Sequence, residues 1–247
     1  YEWLIYRKRI SLEATLQWRD GYEIGSDILN ILRSPELGTK PILILGDPGA
    51  GKTTLCHMLA GKILCGEYHV IVLHLRDLNA ELSIAEQIGQ EIAQTADDSD
   101  CKWGTIAKAK PQKPILLIFD GYDELLQASG KTFSNYLEKI VAFQEKQWET
   151  RGITVRSIVT SRIVLIDKVE VPLDSAVLRL KPFNKARIDE WCNIWNTANE
   201  AYFESRGLKK FNVEKESKAW ELAGEPLLLL MLALFDTKDN ALRKHQN

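Results

Sequence analysis

Gly46-Asp47-Pro48-Gly49-Ala50-Gly51-Lys52-Thr53-Thr54 decides how this chain is read. It satisfies the spacing GxxxxGK[ST], a pattern that means something only when a strand precedes it and a helix follows. Both flanks comply. Pro41–Leu45 is a short aliphatic run, and Thr53–Leu64 sets Leu55, Met58, Leu59 and Ile63 at helical spacing. A triphosphate requires many backbone N–H donors converging on it, and side chains would obstruct that approach. Gly49 and Gly51 leave it open and allow unusual dihedrals. The helix N-terminus adds roughly half an elementary positive charge. Lys52 supplies a point charge for the β and γ phosphates, and Thr53 offers a hydroxyl to Mg²⁺.

Working outward, further aliphatic runs occur at His69–Leu75, Pro114–Phe119, Thr154–Thr160 and Ala176–Leu180. Each is mostly apolar on both alternating positions, as expected of parallel strands buried on both faces. Helical stretches separate them. Ser83–Gln94 opens on a capping box, Ser83 with Glu86, and then carries Ile84, Ile88 and Ile92 on one face. Phe133–Trp148 repeats apolar residues at helical spacing. Alternating strands and helices predict an α/β fold with a mainly parallel five-stranded sheet flanked by helices. Residues 96–113, acidic and then lysine-rich, read as a mobile loop. After Lys181-Pro182 no strand-like run remains, and Asn184–Trp195, Val213–Leu222 and Pro226–Phe235 read as helices of a small all-helical domain. The expected division is 1–35 as a connector or helical segment, 36–181 as the nucleotide-binding core and 182–247 as the helical domain.

Ile115-Leu116-Leu117-Ile118-Phe119-Asp120 has the Walker B form, a buried strand ending in a carboxylate. In open α/β sheets ligands bind at the carboxyl ends of strands. Asp120 is thus the candidate to hold Mg²⁺, through water. In Gly121-Tyr122-Asp123-Glu124 a second carboxylate is available to orient or activate water, Asp123 before Glu124. Capping of the next helix is the plain structural alternative for Asp120 and Asp123.

Composition narrows the remaining classes. With 32 basic against 34 acidic residues there is no domain-wide basic excess to hold a nucleic-acid backbone. The longest apolar run, Leu227–Phe235, is far short of the ~20 residues that span a bilayer. Cys56, Cys65, Cys101 and Cys192 are scattered without a CxxC pair, and read as buried free thiols of a cytoplasmic protein rather than a zinc site. His57 reads as a structural or surface histidine, and His69 and His74 flank a strand with no third ligand nearby. Tyr1–Trp18, aromatic and basic around Arg7, Lys8 and Arg9, reads as a connector within a longer protein, with a partner-docking or membrane-surface segment as the alternative. No NKxD guanine-reading motif occurs, which favours ATP over GTP.

Leu117–Glu124, an apolar strand, an Asp, a small residue and then an acidic pair, resembles the NACHT group of signal-transduction P-loop NTPases of the STAND class. Conventional AAA+ proteins place Glu directly after the Asp, where this chain has Gly121. Ser157–Arg162 is similar to the family's next strand, which makes Arg162 the sensor arginine for the γ-phosphate. Leu180–Phe183 is similar to the passage into the family's first helical domain. Gly224-Glu225-Pro226-Leu227 is similar to its GxP element, whose proline lies near adenine. The resemblance spans residues 40–236. It implies ATP or ADP held with Mg²⁺ by Gly46, Asp47, Pro48, Gly49, Ala50, Gly51, Lys52, Thr53, Thr54 and Pro226. It also implies slow hydrolysis served by Asp123, Glu124 and Arg162, and a nucleotide-dependent switch. Exchange to ATP would open a closed monomer, allow self-association through the NTPase domain and bring together effector and sensor domains lying outside this chain. Pro182–Trp195 resembles prokaryotic members, which points to a defence setting. The family's winged-helix histidine has no counterpart here, since His245 lies in a polar tail. The competing readings are a turnover AAA+-like or helicase-like motor, and an interaction module that holds nucleotide without hydrolysing it.

Overall fold

A computed structural model describes residues 1–5, 19–20, 24–35, 37–95, 102–129, 135–166, 169–215 and 217–244. Cys101, Phe133, His245 and most of the segment 1–18 lie outside the described residues. The chain forms two compact units, Tyr1–Asp47 with Lys52–Leu180, and Pro48–Gly51 with Lys181–Asn247.

The first unit is built on one sheet. Its strands are β1 (Glu2–Ile5), β2 (Arg19–Asp20), β3 (Ile42–Leu45), β4 (His69–His74), β5 (Ile115–Asp120), β6 (Val155–Ser161) and β7 (Ala176–Arg179). They lie in the order β2-β1-β7-β3-β6-β5-β4. The five strands from β7 to β4 are parallel, as expected. The two N-terminal strands extend the sheet antiparallel, with β1 running along β7 from Glu2 opposite Arg179 to Ile5 opposite Ala176. Arg179 also pairs with the buried Glu2. The stretch read as a connector therefore contributes an edge to the sheet.

Alternation along the central strands feeds two cores. Leu43, Leu45, Leu117, Phe119 and Val159 point to one face, and Ile42, Ile44, Leu116, Ile118 and Ile158 to the other. Helices α1 (Ile24–Arg33) and α2 (Lys52–Met58) cover the second face, with Ile28, Leu32 and Cys56 in its core. Helices α3 (Ile84–Thr95), α4 (Trp103–Lys108), α5 (Tyr122–Ser129) and α6 (Tyr136–Arg151) cover the first. All six residues of β5 are buried, whereas β4 is the outermost strand and only Leu73 in it is buried. The expectation that every strand is buried on both faces therefore fails at β4.

Local signals explain most boundaries. The Ser83 amide donates to the Glu86 carboxylate at 2.9 Å, and the Glu86 amide donates back to the Ser83 hydroxyl at 3.4 Å, closing the expected box. Helix α6 ends at Gly152, left-handed at φ 65. Two stretches differ from expectation. Within 96–113 the chain forms α4, because Trp103 stacks edge-on against Phe143 at 5.0 Å and its indole N–H donates to Gln147 at 2.9 Å. After α2 the helix widens into a π segment, Leu59–Ile63, before Leu64 is buried. The next residue, Cys65, is then turned outward, so it is exposed rather than buried, with its thiol on the Gly61 carbonyl.

After α7 (Ile163–Ile166) and β7, the second unit holds α8 (Lys185–Ala198), α9 (Glu200–Arg206), α10 (Lys218–Ala223), α11 (Pro226–Asp236) and α12 (Ala241–Lys244). Asn184 caps α8 by accepting from the Arg187 amide at 3.0 Å. The helix expected over Val213–Leu222 begins only at Lys218. Phe211 and Val213 are buried from an extended segment instead, anchored by Asn196, whose side chain bonds both the amide and the carbonyl of Phe211. No described helix is long and apolar enough to cross a membrane.

Candidate functional site

The site is assembled where β3, β6 and β5 end at their carboxyl edge. β3 runs into the glycine loop, whose Gly49 and Gly51 take φ of 85 and 88. Any side chain is strained there. A Cβ at Gly51 would meet none of the described residues within 4 Å, so they leave the cradle open at that point. The Gly46 amide donates to the Ser161 carbonyl at 3.2 Å, which ties the loop's first residue to the tip of β6. Asp47 and Pro48 are exposed, Ala50 is half-buried, and Thr53 and Thr54 present exposed side chains in the first turn of α2.

Lys52 opens α2 and folds over the loop. Its ammonium donates to the Gly46 carbonyl at 2.8 Å and to the Asp47 carbonyl at 3.1 Å. Burial lowers its pKa. Asp123, Asp120 and Asp47 oppose that by raising it, and the Arg162 guanidinium adds to the lowering. Candidates chosen from two separate motifs and a strand end thus act together on the Lys52 ammonium.

Asp120 is 8% exposed and ends β5. Its Oδ1 accepts from the Thr160 hydroxyl at 2.6 Å and faces the Cys56 thiol at 3.8 Å. The buried thiol is held protonated, pushed up by burial and then by the Asp120 carboxylate. Gly121 follows in the left-handed region at φ 85, which lets the chain turn from β5 into α5. Asp123 in the first turn of α5 is 3% exposed and accepts from Arg162 Nε at 2.8 Å. Glu124 is half-buried over Gly121, its carboxyl carbon 3.5 Å from where a Gly121 Cβ would stand, and among the described residues its carboxylate forms no ion pair.

Gly46, Lys52, Asp120, Asp123 and Arg162 therefore converge, and Glu124 stays apart from the ion pair. Pro226 is the first residue of α11 in the second unit, where the Leu227 amide donates to the Gly49 carbonyl at 3.3 Å. Sequence reading missed Thr160. The available signal was slight, since Thr160 is one of three hydroxyl residues in β6, with Ser157 and Ser161. Away from this site, His74 is held by Glu91, Nδ1 to Oε1 at 2.9 Å, and lies edge-on to His57 at 6.1 Å. Among the described residues no cluster of His, Cys, Asp and Glu could itself hold a metal ion.

The family model of the NACHT domain matches residues 40–199. This chain belongs to the NACHT family. It is accordingly a nucleotide-binding P-loop NTPase domain, with the glycine loop and the Asp120 strand inside the matched range. Among solved structures it is similar to Drosophila ORC bound to DNA, at 16% identity and TM-score 0.44, over 89% of this chain and 57% of that one. It is also similar to C. elegans PCH-2, at 14% identity and TM-score 0.45, over 87% of this chain and 62% of that one. The chain spans less than two thirds of the length of either. No curated protein matches it.

Proposed function

We propose that this NACHT chain binds ATP or ADP with Mg²⁺ at the carboxyl edge of β3, β6 and β5, hydrolyses ATP slowly, and uses the exchange as a switch for self-association and effector activation. One observation carries the reading: Lys52, Asp120, Asp123 and Arg162, drawn from the glycine loop, from the end of β5 and its following turn, and from the end of β6, come together, with Arg162 Nε on Asp123 at 2.8 Å and all three of the others acting on the Lys52 ammonium.

The residues fit the groups they would hold. Gly49 and Gly51 have the left-handed backbone a phosphate cradle needs, and the space at Gly51 is open. Lys52 already bonds two oxygens, the Gly46 and Asp47 carbonyls, and phosphate oxygens would accept from it in their place. Thr53 presents an exposed hydroxyl, and Asp120 keeps Oδ2 without a hydrogen bond among the described residues. Bound Mg²⁺ would neutralise charge on the phosphate oxygens as the terminal phosphoryl group is lost. Arg162 is near enough to Lys52 to lower its pKa, as a side chain that senses the γ-phosphate would be. Asp123 holds Arg162 in place, and an oxygen freed from that bond would accept a proton from water.

The same ion pair favours a second reading, in which Asp123 serves only to position Arg162 and the domain holds nucleotide without turnover. Two measurements separate them. ADP or ATP should co-purify with the protein and be lost in Lys52→Ala; a nucleotide-free wild type that fails to take up added ATP ends both readings. Asp123→Asn should then abolish slow phosphate release while leaving nucleotide bound, and unchanged release would leave only another base. A defence setting rests on the resemblance of Pro182–Trp195 to prokaryotic members, and requires effector domains encoded beside this one.

A further inference from the structure

Strand β6 lies between the strand that carries the glycine loop and the strand that carries Asp120. In register, Ile44 stands opposite Thr160 and Leu45 opposite Ser161, while Phe119 stands opposite Val159. Thr160 is therefore the β6 residue level with the end of β5. It is wholly buried. A threonine hydroxyl offers one donor and two acceptor positions. Here the hydrogen goes to Asp120 Oδ1 at 2.6 Å, and one lone pair accepts from the Gly121 amide at 2.9 Å. Among the described residues, both hydrogen bonds to the Asp120 carboxylate, from the Thr160 hydroxyl and the Cys56 thiol, fall on Oδ1. Oδ2 accepts no hydrogen bond among the described residues.

We propose that Thr160 is the positioning residue for Asp120: its hydroxyl clamps one carboxylate oxygen and the following amide, so that the other oxygen is presented to the divalent cation. This rests on the nucleotide and Mg²⁺ reading above and adds to it a residue that neither motif contains. The physical reason is rotational. An aspartate at a strand end has two side-chain torsions, and a single bond of charge-assisted strength to Oδ1 fixes the second. The bond to the Gly121 amide fixes the left-handed turn behind it, so the carboxylate and its backbone are held from the same atom. Strand β6 thus touches three parts of the site: Gly46 through the Ser161 carbonyl, Asp120 through the Thr160 hydroxyl, and Asp123 through Arg162 just beyond its end.

The test compares ATP affinity in Mg²⁺ with affinity in EDTA, by titration of a fluorescent ATP analogue. Wild type should bind more tightly in Mg²⁺. Thr160→Val keeps the shape and removes the hydroxyl. It should lower the Mg²⁺ advantage about tenfold or more, as loss of a partner that orients a metal ligand does, and leave the EDTA value unchanged. Thr160→Ser restores the hydroxyl and should restore the ratio. In an Asp120→Asn background, Thr160→Val should change the ratio no further. An undiminished ratio in Thr160→Val, an equal loss in Mg²⁺ and EDTA, or Thr160→Ser failing alongside Thr160→Val would each overturn the assignment. Should Thr160→Val fold poorly, Thr160→Ala removes the same hydroxyl in a smaller side chain and is read by the same ratio, with the same outcomes for and against. A wild type that binds ATP equally with and without Mg²⁺ would instead remove the underlying metal reading, a result distinct from any of these.

Discussion

Truncating Arg162 to alanine should destabilise the first unit measurably even without nucleotide. Asp123 is 3% exposed, and Arg162 Nε reaches it at 2.8 Å while the arginine side chain remains 37% exposed. Breaking a fully buried pair costs about 3–5 kcal/mol because a charge is left unpaired. An exposed pair is worth less than about 1 kcal/mol. One partner is buried here and the other screened by water, so the loss should fall between, at about 2 kcal/mol. For a unit of this size that corresponds to a melting temperature lower by about 4–8 °C. Asp123→Asn removes the buried charge itself, so Arg162→Ala added to it should cost little more than Asp123→Asn alone. The two changes should therefore couple by about 1–2 kcal/mol. Circular dichroism melts of the four proteins in nucleotide-free buffer give the cycle. Strict additivity, or an Arg162→Ala melt identical to wild type, would refute the idea that this pair holds the end of β6 to the start of α5.

Three further outcomes are expected. Lys52→Ala should weaken ATP binding by about tenfold to a hundredfold, since charge-assisted bonds to phosphate are lost, and an unchanged titration would end the assignment. Gly121→Ala forces an L side chain to φ 85 against Glu124, and should lower stability by about 1–2 kcal/mol in a urea titration; a neutral result would mean that the turn relaxes freely. Stability should also fall as pH rises beyond about 8.5, where thiols of the unfolded chain ionise. Burial pushes Cys192 up to about 11 and Cys56 higher still, and raises Tyr122 and Tyr136. The native state then keeps protons that the unfolded state releases, at up to roughly 1.4 kcal/mol per pH unit for each group. A melting temperature that is flat from neutral pH to about pH 9.5 would contradict that burial.

The parts of the fold written in local pattern were readable from residues alone. Five aliphatic runs became five parallel strands, and Ser83 with Glu86 opened α3 as their spacing requires. What could not be read depends on partners distant in sequence. β1 is a strand because β7 is there to pair with, and nothing within Glu2–Ile5 distinguishes it from a connector. α4 owes its place to Phe143 and Gln147, some forty residues on, rather than to its lysine-rich composition. The site divides in the same way. The glycine loop and Asp120 announce themselves because phosphate chemistry restricts their residue types. Thr160 does not, because its role depends on β6 lying between β3 and β5, and strand order is not a local property. The Asp123–Arg162 pair was visible as two candidates, but their bond was not.

The two borders of the sheet are treated differently. At one, the antiparallel β1 and β2 complete it; at the other, β4 carries half-exposed Val70, Ile71 and Val72 and has no further strand beside it among the described residues. Aliphatic borders of that kind recruit strands from other molecules. Glu91 reaches across from α3 and takes the His74 amide at 3.0 Å. A backbone donor that a foreign strand would seek is thereby occupied by a carboxylate. A protein proposed to gather into ordered assemblies on a signal has reason to keep its molecules from joining through this border at other times, and the Glu91 carboxylate leaves one donor fewer for such fibrous growth.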